Sequence, residues 1–266
     1  MTVIQKDDFI NSVANAFQFI SYYHPKDFVD AVYEAWQKET NPAAKNAMGQ
    51  ILVNSRMSAL GHRPICQDTG SAVVFVDIGM NVQWNTDMTV EEMVNEGVRL
   101  AYNNPDNPLR ASILVDPIGK RQNTKDNTPA VVHISMVKGD KVDVTCAAKG
   151  GGSENKSKFA MLNPSDSIEE WILKTIPAMG AGWCPPGVLG IGVGGTPEKA
   201  MLLAKRSLMD EINIHELQAK ADSGVALNSV ERLRLNMYEK VNELGVGAQG
   251  LGGKIGRAGK NHFHIQ

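Results

Sequence analysis

The sequence predicts an α+β fold in which a helical N-terminal layer packs on a mixed or antiparallel sheet. The first sixty residues carry apolar side chains at helical spacing, whereas residues 72–78 and 129–147 have the apolar runs and alternation typical of strands. Helices and strands follow one another without the strict alternation of a doubly wound α/β chain. With 266 residues, the chain is expected to form one large or one bilobed globular unit.

Three helices are predicted in the N-terminal layer. Phe9 and Val13 share a helical face with a further phenylalanine four residues on. Pro25 can open a second helix. Asn41, directly before a proline, has the pattern of an N-cap followed by the first helical residue, and Gly61 is expected to end this third helix.

The middle of the chain predicts a buried strand, a helix and a hairpin. The Val/Phe-rich run at residues 72–78 indicates the strand, and the spacing of Thr89 and Glu92 is that of a capping box, which predicts a helix after it. Between residues 129 and 147, apolar and other side chains alternate with a period of two residues on both sides of Gly139. This pattern predicts a β-hairpin that ends at Cys146.

Helix-start signals recur in the C-terminal part. Ser167 lies three residues before a glutamate, and Thr196 precedes a proline, so a helix is expected after each. Residues 188–193 are apolar and resemble a strand. A last helix is predicted over residues 228–244 and should stop at Gly245.

Composition excludes several classes of protein. Apolar residues make up 42% and charged residues 21%, which is ordinary globular usage. The net charge of -2 is too balanced for a nucleic-acid-binding surface, and no apolar run reaches the roughly 20 residues that span a bilayer. The N-terminus has acidic residues where a signal peptide would be basic and then apolar. We therefore expect a cytoplasmic protein that binds neither nucleic acid nor membrane.

The three cysteines are candidate metal ligands, because an odd number of distant thiols argues against a disulfide framework. Cys66 lies in a polar loop between a predicted helix and strand, and two prolines fix the backbone after Cys184. Cys146 shares a strand face with Val142 and Val144, so structural burial is favoured for it. No zinc-type spacing is present, whereas such distant thiols are compatible with an iron–sulfur cluster. Each could equally be a small buried hydrophobe.

Residues 149–157 have the composition of an anion-binding loop, since three consecutive glycines between two lysines free backbone N–H groups to point inward. The alternative is a solvated turn. Arg110 and Arg121 are available to bind carboxylates, and each could equally be a surface charge.

A dinucleotide fingerprint is the competing signal. Gly190, Gly192 and Gly195 match its spacing after a strand-like run, and Asp210 lies at a suitable distance for a ribose contact. A second match at Gly245 follows a helix, where the fingerprint has no meaning. An oxidoreductase is therefore the less favoured hypothesis.

Four segments in this order carry a family resemblance. They are Arg63–Gly70 (RPICQDTG), Ala148–Ser157 (AKGGGSENKS), Ala181–Pro186 (AGWCPP) and Gly245–Gly253 (GVGAQGLGG). Together they resemble the N-terminal part of an iron–sulfur, class I fumarate hydratase, and the likeness runs from the first residues to about Lys254. The α subunit of iron–sulfur tartrate dehydratase is similar in much of this pattern.

The resemblance implies a hydro-lyase that reversibly hydrates fumarate to malate, a tricarboxylic acid cycle step, with a [4Fe–4S] cluster that has one open iron. Cys66 and Cys184 match cluster ligands, and the chain has no cysteine where the third is expected. Gln67 and Asp68 match substrate-contacting positions, with Asp68 as the catalytic proton-handling group. Arg110 matches a carboxylate clamp, and Gly152 supplies an amide to substrate.

The same resemblance implies the domain organisation and partners. Residues 1–254 are expected to be the cluster- and substrate-binding region, and residues 255–266 an atypical tail. The C-terminal catalytic domain, which carries the base for the carbon-bound proton, would be absent from a truncated chain or supplied by a β subunit. The chain alone is then expected to be almost inactive, and a homodimer is expected. The substrate is a small dicarboxylate, with fumarate and tartrate both open.

Overall fold

The structure is a computed structural model that describes residues 2–180, 187–210, 213–253 and 263–265. Helices combined with mixed and antiparallel sheets confirm the predicted α+β class. In chain order the elements are β1 Thr2–Gln5, α1 Lys6–Tyr22, α2 Lys26–Lys38, α3 Pro42–Gly61, β2 Ser71–Gly79, β3 Val82–Asn85, α4 Val90–Tyr102, β4 Leu114–Val115, β5 Gln122–Asn123, β6 Val131–Val137, β7 Val142–Lys149, α5 Gly151–Glu154, α6 Ile168–Ala178, β8 Leu189–Ile191, α7 Pro197–Ser207, α8 Ile214–Asp222, α9 Ser229–Glu243, a 3-10 turn Ala248–Gly250, and β9 Phe263–Ile265.

The chain divides into two compact units. The first contains Met1–His24 and Asn54–Glu154, and the second contains Pro25–Val53 and Asn155–Gln266. The division falls within α3, so a single continuous helix contributes residues to both units. None of the helices in the described ranges is long and apolar enough to cross a membrane.

The first unit has one core between two helices and a sheet. Buried side chains of α1 and α4 pack against one face of β2, and Phe9 meets Trp84 of β3 edge-on at 5.2 Å. Gly97 of α4 lets the helices approach closely, since a Cβ there would lie 2.7 Å from the Val13 side chain. The predicted caps are confirmed in this unit, where Thr89 and Glu92 form a complete capping box at the start of α4.

The predicted β-hairpin over residues 129–147 is wrong. Strands β6 and β7 do form, but each pairs with β2, so the strand order is β6-β2-β7. Strand β6 runs parallel to β2 and β7 runs antiparallel to it. The short connection between them crosses the end of β2, where Gly79 has no side chain and the Gly139 carbonyl oxygen would lie 2.6 Å from an added Cβ. Strand β2 takes the central position because it is buried along nearly its whole length.

The second unit contains smaller cores. Val32 and Ala35 of α2 pack with Ala44 and Met48 of α3, and Asn41 caps α3 by accepting from the Ala43 and Ala44 N–H groups, as predicted. Helices α6 and α9 share a second core with β8, and α8 packs on α9. The predicted cap at Ser167 is also present, and the structure adds a capping box of Asn228 and Glu231 at the start of α9. Residues 263–265 of the tail pair in parallel with β8.

We predict that His24 makes the stability of the first unit pH-dependent. Its Nδ1 lies 3.0 Å from the Ser55 hydroxyl, and burial lowers the pKa of the imidazole below the ordinary value of 6.5. The unfolded chain then binds more protons in acid than the folded one, so the free energy of unfolding should fall as pH drops below 6.5. Urea unfolding at a series of pH values measures this slope.

The matched variants for this test are His24→Gln and His215→Gln. The first should flatten the slope, whereas the second replaces a half-exposed histidine and shows the effect of a histidine substitution away from the Ser55 contact. Equal slopes in the wild type and the His24→Gln variant would contradict the prediction.

Candidate active site

The loop between α3 and β2 presents Cys66, Gln67 and Asp68 at the surface of the first unit, and all three are exposed. The loop is anchored at its start, because the Asn54 side-chain amide donates to the Ile65 carbonyl at 2.8 Å and the Ile65 N–H donates to Ser21 at 2.8 Å. The Cys66 thiol donates to the side-chain amide oxygen of Gln67, Oε1, at 3.4 Å, and its sulfur accepts from the Asp68 N–H at 3.4 Å. A thiol, an amide and a carboxylate therefore share one accessible surface.

The Asp68 carboxylate joins two distant segments. Its Oδ1 accepts from the Gly70 N–H at 3.1 Å, and its Oδ2 accepts from the Gly151 N–H at 2.8 Å. Gly151 belongs to the glycine stretch singled out as an anion-binding loop. The two sequence-predicted motifs thus meet, and two fixed donors orient the carboxylate.

Gly70 allows the Asp68 loop to lie close to the end of β7. It has φ +76, and an added Cβ would lie 2.7 Å from backbone atoms of Ala148 and Lys149. The next residue, Ser71, pairs with Lys149 in the β2–β7 ladder. Any side chain at position 70 would both strain the backbone and push the two strands apart.

Arg110 reaches the same region through its backbone. The Thr69 hydroxyl donates to the Arg110 carbonyl oxygen, and the Arg110 residue is exposed. Gly152, another predicted substrate contact, lies exposed in α5, next to the residue that binds Asp68. Five of the six predicted site residues therefore belong to the first unit: Cys66, Gln67, Asp68, Arg110 and Gly152. Their roles toward a substrate remain predictions.

Two further side chains contact this loop and were not identified from the sequence. The Tyr102 hydroxyl lies 2.8 Å from the Thr69 carbonyl oxygen and 3.1 Å from that of Gly70. The Asn127 amide donates to the Gly70 carbonyl at 3.0 Å. Both are buried. No local pattern marks either of them, because each is an ordinary polar residue whose hydrogen-bond partner lies far along the chain.

The cysteines differ in their environment. Cys146 lies in β7 and packs against the core of the first unit, and burial raises the pKa of its thiol to about 12. This packing against apolar side chains supports the structural interpretation of Cys146. Val144, predicted on the same buried face, is 37% exposed, so the burial of this strand is partial. Cys184 lies outside the described residues, as does the rest of residues 181–186.

The fit to an iron–sulfur cluster can be judged at Cys66. Its thiol is exposed on an anchored loop, and thiolate sulfur is the ligand that such clusters require. Within the described ranges, no group of three or more His, Cys, Asp or Glu side chains could hold a metal ion. Cys66 thus fits as one ligand, and further ligands would have to come from outside those ranges.

The dinucleotide fingerprint has a packing explanation. Gly190 and Gly192 lie where α7 crosses β8, and an added Cβ at either would collide with a carbonyl oxygen of that helix, at Ala204 or Ala200. Strand β8 pairs only with β9 among the described strands, so the parallel βαβ unit that the fingerprint requires is not formed there. These glycines serve helix–strand contact.

We predict that the two described cysteines differ strongly in reactivity. At pH 8, a thiol with a pKa of about 12 is ionised in only about one molecule in ten thousand, and only the thiolate is nucleophilic. Iodoacetamide should therefore alkylate Cys66 at least about a hundredfold faster than Cys146, as followed by peptide mass spectrometry. In 8 M urea the two rates should converge; similar rates in the folded protein would contradict the burial of Cys146.

Comparison with known proteins adds independent information. A family profile described as fumarate hydratase (Fumerase) matches residues 10–259. The putative L(+)-tartrate dehydratase subunit alpha of Methanocaldococcus jannaschii is 36% identical over 251 residues, which cover 91% of this chain and 84% of the relative. The L(+)-tartrate dehydratase subunit alpha of Escherichia coli K12 is 27% identical over 91% of this chain and 77% of the relative. The anaerobic class I fumarate hydratase of the same strain is 32% identical over 77% of this chain and 37% of its own length.

Proposed function

The chain belongs to the fumarate hydratase (fumerase) family, and on that premise we propose that it is the cluster- and substrate-binding part of a hydro-lyase that interconverts fumarate and malate. The observation that carries the proposal is the arrangement of Asp68, an exposed carboxylate held by two backbone N–H groups, directly beside the exposed thiol of Cys66. Family membership agrees with a hydro-lyase, since the relatives are named as dehydratases and a hydratase.

In this proposal Cys66 and Cys184 hold a [4Fe–4S] cluster. When bound, the cluster supplies a Lewis-acidic iron that polarises the hydroxyl and a carboxylate of malate. Other ligands come from outside the described residues. Cys146 takes no part, because its side chain packs against the apolar core of the first unit.

The chain's own residues bind and orient the diacid and handle one proton. Asp68 gives a proton to the hydroxyl as it leaves as water, and in the hydration direction it takes that proton back. Arg110 pairs with a substrate carboxylate, while Gln67 and the Gly152 N–H hydrogen-bond to the substrate. The proton on carbon goes to a base on a partner. The name "subunit alpha" of two relatives supports such a partner, which would be a β subunit or a C-terminal domain.

The second candidate is the α subunit of a tartrate dehydratase. It is favoured by the M. jannaschii relative, whose match covers most of both chains, whereas the fumarate hydratase match covers a minor part of that enzyme. Both substrates are hydroxylated or unsaturated four-carbon diacids, so the same carboxylate clamp and proton donor serve either. Steady-state rates of the partnered chain with L-malate, fumarate and L(+)-tartrate would separate the two candidates.

We predict that the chain forms an iron–sulfur chromophore through Cys66 and Cys184. After anaerobic reconstitution with iron and sulfide, visible absorbance should appear weakly or transiently in the wild type. It should be lost in Cys66→Ala and Cys184→Ala, because each removes a thiolate ligand. Cys146→Ser is the matched control and should behave as the wild type. If Cys146→Ser alone abolishes the absorbance, the ligand assignment is wrong.

We also predict that Asp68→Asn removes most of the activity of the partnered chain. An amide cannot exchange the proton, so kcat should fall by about 10²- to 10⁴-fold with a smaller change in KM. Asp140→Asn changes an exposed carboxylate at the connection between β6 and β7 and should keep kcat. Wild-type kcat in Asp68→Asn would refute the proton-handling role.

A further inference from the structure

Tyr102 is connected to Asp68 through a single peptide group. The Thr69–Gly70 peptide has its carbonyl oxygen 2.8 Å from the Tyr102 hydroxyl, and its N–H donates to Asp68 Oδ1 at 3.1 Å. A peptide group is planar, so its C=O and N–H directions are fixed relative to each other. A hydroxyl that holds the C=O therefore also sets the direction of the N–H that orients the carboxylate.

The Tyr102 hydroxyl is suited to be a permanent donor. The side chain is 1% exposed at the end of α4. Burial, together with the negative charge of Asp68, raises the pKa of Tyr102 to about 12. The phenol accordingly stays protonated at neutral pH, and it donates to the carbonyl oxygens of residues 69 and 70.

Asn127 connects the same loop to the segment that follows Arg110. It is 0% exposed, and its Nδ2 donates to the Gly70 carbonyl at 3.0 Å. Its Oδ1 accepts from the Ser112 N–H at 2.8 Å, two residues after Arg110. The Thr69 hydroxyl adds a direct bond to the Arg110 carbonyl. The loop with Asp68 and the segment with Arg110 are thus fixed to each other by one buried amide and one hydroxyl.

We propose that Tyr102 and Asn127 are positioning residues for the hydro-lyase reaction: Tyr102 orients the peptide that holds Asp68, and Asn127 sets the spacing between Asp68 and the Arg110 segment. This inference rests on the proposed function. Neither side chain is required to touch the substrate. Each acts through the Asp68 loop, and their effects differ because only Asn127 also bonds to the segment after Arg110.

The test compares three variants of the full chain. Tyr102→Phe removes only the hydroxyl and keeps the buried ring. Asn127→Gly removes both amide contacts and tolerates the positive φ of 60 at this position. Asn123→Ala is the matched control, since its amide donates to Ala111 in the same connecting segment but does not contact the Asp68 loop.

The first readout is amide hydrogen–deuterium exchange, which requires no activity. In Tyr102→Phe and Asn127→Gly, exchange of the Gly70 and Gly151 amides should accelerate by about five- to tenfold, the ratio expected for the loss of one hydrogen bond. Exchange in the paired strands β1 and β3 should stay at the wild-type rate, as should exchange of the Gly70 and Gly151 amides in Asn123→Ala. Unchanged exchange at Gly70 and Gly151 in both variants would overturn the proposal.

The second readout is the kinetics of the partnered chain. Tyr102→Phe should lower kcat by about tenfold with little change in KM, because Asp68 alone is displaced, whereas Asn127→Gly should lower kcat and also raise KM. With kcat expressed per folded enzyme molecule, a merely structural role would leave both kcat and KM unchanged. Wild-type kcat and KM in both variants, despite faster exchange, would overturn the proposal. The two proposals can fail separately. If the wild-type assembly converts none of the diacids but exchange is still faster in the variants, the proposed function is refuted and the positioning of the loop stands.

Discussion

The close approach of the start of β2 to the end of β7 is the constraint on which the candidate site depends. Gly70 faces the backbone of residues 148 and 149 with no room for a side chain. Asp68 precedes that contact and Gly151 follows it, so the strand pairing brings a carboxylate and an amide 83 positions apart to 2.8 Å. The energy that holds them together is mostly that of the buried sheet, because a single exposed hydrogen bond contributes only about 1 kcal/mol. The buried sheet therefore stabilises the position of Asp68 relative to Gly151.

Local signals in the sequence predicted most of the fold, and nonlocal pairing caused the main error. The capping box at Thr89 and the cap at Asn41 involve neighbours within three residues, so their spacing alone specifies them. The alternation of apolar and other side chains on both sides of Gly139 correctly indicated two strands. It could not show that β2 lies between them, because the periodicity of one segment does not identify the strand with which it pairs. Helix α8 was missed even though Asn213 caps it, because no apolar periodicity drew attention to so short a segment.

The parts of the candidate site that could be predicted are those that form short sequence motifs. The loop at Cys66–Asp68 and the glycine stretch after β7 were identified as separate motifs, and the structure joins them through Asp68. Tyr102 and Asn127 were not identified, because burial and a positive φ are properties of the folded chain. Cys146 was assigned to the core from strand alternation, and its raised pKa agrees, although its neighbour Val144 is more exposed than that pattern implied.

The crossing of the β6–β7 connection over the end of β2 has a consequence for biosynthesis. Strand β2 leaves the ribosome before either of its neighbours, and its last partner residue, Lys149, is made seventy positions after Gly79. During this interval a strand that is apolar on both faces has two unpaired edges, the arrangement that recruits other chains most readily. Helices α1 and α4 can shield one face early, since α1 is already complete and α4 follows within a few residues of β3. Early packing of these helices would cover one face of β2 until β6 and β7 pair with its edges.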